Sequence, residues 1–154
     1  ESEKRNQKIN YTGIEAFPVS AEIYKKLNYH EYLNTLDNKD LFIALHRSEW
    51  NKKQEIISTF SLEKIQMKFE EIMFKNKFDL IYFDAFGFRV QPELWSLNIF
   101  QRMFEALKNE GILTTYACRG VVTKNLKESG FEVKKVSGPI GKREMTLAFK
   151  SIKI

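Results

Sequence analysis

Asp84 is the residue of this chain best placed to do chemistry. It directly follows the apolar run Leu80, Ile81, Tyr82, Phe83 and directly precedes Ala85, Phe86, Gly87 and Phe88. A carboxylate therefore stands where a strand would end, with two aromatic rings flanking a glycine beside it. Open α/β sheets take their ligands at the carboxyl ends of strands, and exposed aromatics next to a carboxylate suit a flat substrate such as a nucleobase. The plainer alternative is an aspartate that caps a strand-end turn. Glu15 repeats the arrangement: it closes the segment Ile9–Glu15 and is followed by Ala16, Phe17 and Pro18. Its plainer reading is an acid at a helix entry before Pro18.

The elements that must position these acids alternate along the chain. Asp79 to Phe83 reads as a central strand buried on both faces, Gly87 is available for a positive φ, and Pro92 with Glu93 opens a helix through Trp95, Ile99, Met103 and Leu107 that ends near Lys108. Upstream, Ile9–Glu15 is a strand, Ser20 caps a helix from Ala21, and a second helical piece lies around Tyr29 to Leu36. Asp40 to Leu45 is a short apolar piece and Arg47 to Gln54 a loop holding Trp50. Strands follow at Glu55 to Phe60 and, in the core, Leu62 to Phe69. Downstream come a turn at Asn109 to Gly111, a strand Ile112 to Tyr116, a helix Val121 to Ser129 stopped by Gly130, and strands Phe131 to Val136 and Glu144 to Phe149. This order predicts an α/β fold whose sheet is mostly parallel with a reversed last strand.

Length and composition narrow the function classes. The 154 residues suit a single domain, with residues 1–8 polar and expected to fray. Lysine and arginine number 25 against 20 acids, a formal charge of +5, which favours a polyanionic partner such as RNA. The single cysteine, Cys118, excludes an internal disulfide and, with only His30 and His46, leaves no basis for a metal site. Cys118 has no histidine near it in sequence and reads as a packed residue rather than a nucleophile. No apolar run approaches a membrane span and no signal peptide is visible, so the expectation is a cytoplasmic protein with no membrane partner. No G-x-G-x-x-G occurs, which counts against a dinucleotide-dependent oxidoreductase.

Three motifs, YFDAFGFRVQPELW, GILTTYACRG and SGPIGKREM, together resemble the methyltransferase domain of the MnmC family, and the resemblance extends over nearly the whole chain from Ile9. It implies a class I (Rossmann-like) fold with S-adenosylmethionine as cofactor. It also implies methyl transfer to the aminomethyl substituent of the tRNA wobble uridine, with tRNA as partner. It places Glu15 on the cofactor ribose hydroxyls. It likewise places Asp84 beside the sulfonium and the target amine, as both a catalytic and a cofactor-binding residue, and makes Phe86 the neighbouring catalytic-loop aromatic. Phe88 is a less secure second stacking ring, for the family usually has proline there, and Met67 and Lys68 stand where the family's third strand usually ends in Gly-Asp. Lys142 and Arg143 either meet phosphates or are ordinary strand-edge lysine and arginine.

The family's sheet also has a first strand, a glycine-rich loop and a first helix with no counterpart before Ile9. The expectation is a fold incomplete at its amino terminus and a cofactor bound weakly or not at all. In that fold Ile9–Glu15 and Asp79–Asp84 either pair directly, or take between them a missing amino-terminal segment or one from another copy. The alternative function is a non-catalytic RNA-binding or structural remnant.

Overall fold

The computed structural model describes residues 2–27, 38–141 and 143–151. The chain divides into two compact units, Glu1–Lys68 and Phe69–Ile154, each built on its own sheet.

In the first unit, β1 (Ile9–Glu15), β2 (Lys52–Ile57) and β3 (Phe60–Gln66) form a sheet in the order β1-β3-β2. β1 lies parallel to β3 in unbroken register, from Ile9 opposite Phe60 to Glu15 opposite Gln66. β2 returns antiparallel to β3. The expected strands at Glu55 to Phe60 and Leu62 to Phe69 thus both begin and end earlier. β2 opens on Lys52, Lys53, Gln54 and Glu55, and an outer strand with a solvated face needs no apolar residues there, so a reading keyed to apolar residues starts it late. Asp40 to Leu45 lies within helix α2 (Asn38–Arg47), whereas α1 is a single turn, Ala21–Tyr24, without a side-chain cap from Ser20. The helical piece expected at Tyr29 to Leu36 lies outside the described residues.

In the second unit, β4 (Phe78–Tyr82), β5 (Leu107–Thr115), β6 (Glu132–Ser137) and β7 (Glu144–Phe149) are ordered β4-β5-β7-β6. β4 is parallel to β5, and β7 is antiparallel to both β5 and β6. Three strands therefore share one direction and only β7 is reversed, as the sequence suggested. Helices α3 (Leu97–Ala106) and α4 (Gly120–Glu128) supply the core. Ile99, Phe100, Met103 and Ala106 recur at helical spacing and are buried, as are Val122 and Leu126 of α4 and Leu113 and Ala148 of the sheet. Each such large side chain contributes about 1.5–3 kcal/mol by leaving water.

Several sequence expectations change here. β4 stands at the end of its sheet order rather than in the middle. It is not buried on both faces, since Leu80 and Tyr82 are 43% and 68% exposed. An apolar run reports strand propensity but not whether both neighbours exist. The direct pairing of β1 with β4 is also absent among the described residues: β1 is hydrogen-bonded to β3 and β4 to β5, in separate sheets. The helix expected from Pro92 to Lys108 is split into a 3-10 turn, Pro92–Trp95, and α3, because Ser96 is extended (φ −74, ψ 160), and Leu107 leaves the helix directly into β5. The turn expected at Asn109 to Gly111 is an excursion within β5. Phe78 faces Leu107 and Leu80 faces Ile112, and Glu110 takes φ +63 to accommodate the surplus residues. Gly130, at φ +107, ends the α4 segment as expected.

Candidate active site

β4 stops at Tyr82, but the Phe83 N–H donates to the Thr114 carbonyl at 2.8 Å and carries the ladder one residue further. Asp84 is the next residue. From Phe83 to Phe86 the chain alternates buried, exposed, buried, exposed, which is the period of extended backbone. Phe83 packs against Trp95 and Phe100, with ring centroids at 5.2 and 5.3 Å, and Ala85 is buried beside it in sequence. That anchoring presents the Asp84 carboxylate and the Phe86 ring, 69% exposed, to solvent. No hydrogen bond or ion pair among the described residues engages the Asp84 carboxylate, so its acceptor positions are open to a ligand.

The backbone of this segment is held by side chains from elsewhere in the unit. The Tyr116 hydroxyl donates to the Ala85 carbonyl at 2.8 Å and the Trp95 indole N–H donates to the Phe86 carbonyl at 2.8 Å. Burial, and then the negative charge of Asp84, raise the Tyr116 phenol above its ordinary pKa, keeping the hydroxyl a neutral donor. Sequence reasoning passed over both residues in this role. Their signal was an aromatic with a polar tip inside each of two motifs, YFDAFGFRVQPELW and GILTTYACRG.

Gly87 does not use a positive φ; the described glycines that do are Gly130 and Gly141. Its carbonyl instead accepts the N–H groups of Val90 and Gln91, an ordinary turn open to other residues. Phe88 is half-buried, with the Arg119 guanidinium 5.3 Å from its ring centroid, so it is less available for stacking than Phe86.

Glu15 lies in the first unit, at the last paired position of β1. It is exposed, and one carboxylate oxygen accepts the Phe17 N–H at 2.8 Å, leaving the other oxygen and the remaining lone pairs for a ligand.

The family described as S-adenosyl-L-methionine-dependent methyltransferase matches residues 29–151. This chain belongs to that family. The chain is similar to the tRNA 5-methylaminomethyl-2-thiouridine biosynthesis bifunctional protein MnmC of Burkholderia multivorans, 25% identical over 154 residues. That match covers 92% of this chain and 22% of the relative. The protein of the same name from Campylobacter jejuni is 30% identical over 156 residues, covering 95% of this chain and 24% of its own length. The chain thus spans about a quarter or less of the length of these curated relatives. Among solved structures, MnmC2 from Aquifex aeolicus superimposes with a TM-score of 0.60 at 25% identity, covering 92% of this chain and 43% of that one. The α/β fold is the class I, Rossmann-like methyltransferase fold, and the family's cofactor is S-adenosylmethionine.

The remaining sequence candidates are easily placed. Cys118 is half-buried, its thiol 3.8 Å from the Tyr116 carbonyl oxygen and 3.6 Å from the Thr146 hydroxyl. Arg143 is exposed, and Lys142 lies outside the described residues. Among the described residues no helix is long and apolar enough to cross a membrane.

Proposed function

We propose that this methyltransferase transfers a methyl group from S-adenosylmethionine to the aminomethyl group of a modified uridine at the tRNA wobble position. The observation that carries the reading is the outward-facing pair Asp84 and Phe86 on a fixed backbone, in a chain whose relatives are named for synthesis of 5-methylaminomethyl-2-thiouridine in tRNA. The cofactor, when bound, supplies an electrophilic methyl group on sulfur. The residues of the chain prepare the amine for it. Only a neutral amine has a lone pair to give, so Asp84 accepts a hydrogen bond from the amine, aims the lone pair, and is placed to take the proton released on methylation. Phe86 offers a ring face to the uracil. Glu15 accepts from the ribose hydroxyls of the cofactor, a donor and acceptor match that an exposed carboxylate satisfies. Lys142 and Arg143, with the net charge of +5, suit the phosphates of a tRNA. A tRNA substrate suits a cytoplasmic protein.

The test is transfer of labelled methyl from S-adenosylmethionine to tRNA with or without the aminomethyl group. Label is expected only on the aminomethyl-bearing tRNA. Asp84→Ala should lower the rate by about 10²- to 10⁴-fold, the usual share of a positioned acid or base. Binding of tRNA should stay within about twofold, since many distributed contacts hold the RNA. Equal labelling of both tRNAs would remove the wobble substrate, and undiminished turnover in Asp84→Ala would remove that residue from the chemistry.

A further inference from the structure

Tyr116 and Trp95 are given no role in the reaction above, yet both bind the backbone that carries Asp84 and Phe86. We propose that they are positioning residues, a two-donor latch that sets the direction of the Asp84 carboxylate and the Phe86 ring. The inference rests on the reading of those two side chains as the site.

The geometry supports it in three ways. First, the latched carbonyls are consecutive. Holding the Ala85 carbonyl fixes the peptide plane before the Phe86 Cα, and holding the Phe86 carbonyl fixes the plane after it, so the Cα–Cβ bond that carries the ring has little freedom of direction. Asp84 in turn sits between the Phe83 N–H, which is bonded to Thr114, and the latched Ala85 carbonyl. Second, the Trp95 side chain is fully buried, so its indole N–H has no water to fall back on and strongly specifies where the Phe86 carbonyl must lie. Third, the donors brace one another: their rings meet edge-on at 5.8 Å, and Asn125 of α4 donates to the Trp95 carbonyl at 2.9 Å. The latch draws on the 3-10 turn, the residue after β5 and α4, so the segment is held against rigid elements rather than by its own loop.

Tyr116→Phe is the discriminating variant, because it removes the hydroxyl and keeps the ring against Trp95. In the intact protein, exchange of the Trp95 indole N–H and of the Val90 and Gln91 amides should quicken about tenfold, while the amides of β6 and β7 are unchanged. The kcat of methyl transfer should fall about 10- to 100-fold with KM for tRNA unaltered, as expected when a reacting group is misplaced by a fraction of its bond length. Asn125→Ala, which loosens Trp95 from the other side, should give the same exchange pattern without touching Tyr116. Unchanged exchange in both variants would overturn the latch whatever the kinetics. Faster exchange with an unchanged kcat would overturn its positioning role. Asp84→Asn assayed alongside separates the two levels: full turnover in that variant sinks the site reading itself, a result independent of the exchange measurements.

Discussion

The two acid-bearing loops of this chain have nearly the same sequence and are held in different ways. Glu15-Ala16-Phe17 starts on the last residue of β1 and Asp84-Ala85-Phe86 follows β4, and in both the acid and the phenylalanine are exposed. After β1 the loop is tied mainly to itself, since the Glu15 carboxylate accepts the N–H of Phe17 two residues on at 2.8 Å, and the bond it receives from outside, from the Gln66 amide to the Ala16 carbonyl, is exposed and long at 3.5 Å. After β4 the loop is tied to its surroundings: Trp95 and Tyr116 take its carbonyls and Asp84 spends none of its oxygens on the backbone. A self-capped acid is suited to hold a ligand group that it meets with its spare lone pairs. An acid on an externally braced backbone is suited to direct a reacting group, because its full acceptor capacity and a fixed direction are both available.

The contrast predicts its largest effect at Trp95. Trp95→Ala removes a fully buried side chain and the donor to the Phe86 carbonyl together, and should cost about 3–5 kcal/mol, a large share of the roughly 5–15 kcal/mol that stabilises an ordinary domain. Phe17→Ala, at a ring 76% exposed, should change stability by no more than about 0.5 kcal/mol. Urea titration of both variants checks the pair. Similar costs for the two would mean that the loop after β4 is no better braced than the loop after β1.

Much of this was legible in the residues. Ile9–Glu15 and Glu144–Phe149 have the expected bounds, and Glu15 closes β1 while Asp84 lies two residues beyond β4. The bracing was not legible. A hydrogen bond from Tyr116 to the Ala85 carbonyl spans 31 residues, and nothing in the local pattern of either segment announces it. The edge position of β4 was hidden for a related reason, since Leu80, Ile81 and Tyr82 would read alike in a central strand. Gly87 misled because glycine permits a positive φ without requiring one, whereas the demand at Gly111 comes from approaching backbone that only three dimensions reveal.

Those two glycines give the intermediate effect and test the frame beneath the Asp84 loop. A Cβ on Gly111 would stand 2.8 Å from the Lys108 carbonyl oxygen, 2.9 Å from a Leu107 methyl and 3.3 Å from the Asp79 carbonyl oxygen. Gly111→Ala must therefore push on the β4–β5 pairing, at a cost of about 1–3 kcal/mol. A Cβ on Gly87 meets nothing within 4 Å, and its φ lies outside the left-handed region. Gly87→Ala should therefore be neutral to within about 0.5 kcal/mol. Thermal melts of the two variants decide it. A destabilised Gly87→Ala would show that the loop beside Asp84 draws on a conformation that only glycine allows.

The smallest effect is expected at Glu15, and it separates that acid's two tasks. Glutamine at this position retains a side-chain oxygen that can accept the Phe17 N–H, so Glu15→Gln should leave the turn and the stability of the first unit in place. It loses the charge. Hydrogen bonds to an ionised acceptor are roughly twice as strong as neutral ones, so trading a carboxylate for an amide against the cofactor ribose should weaken S-adenosylmethionine binding by about 3- to 10-fold, near 1 kcal/mol. Glu15→Ala removes both tasks and should weaken cofactor binding further, while costing a few tenths of a kcal/mol of stability at most, because the lost bond is exposed and water replaces it. Isothermal titration of the wild type and both variants with the cofactor, alongside their melting curves, reads the two quantities separately. An affinity that is the same in all three proteins would remove Glu15 from the cofactor site and leave it as the cap of its own turn. A graded loss of affinity with flat melting curves would assign it to the cofactor, in contrast to Asp84, whose substitution should act on turnover.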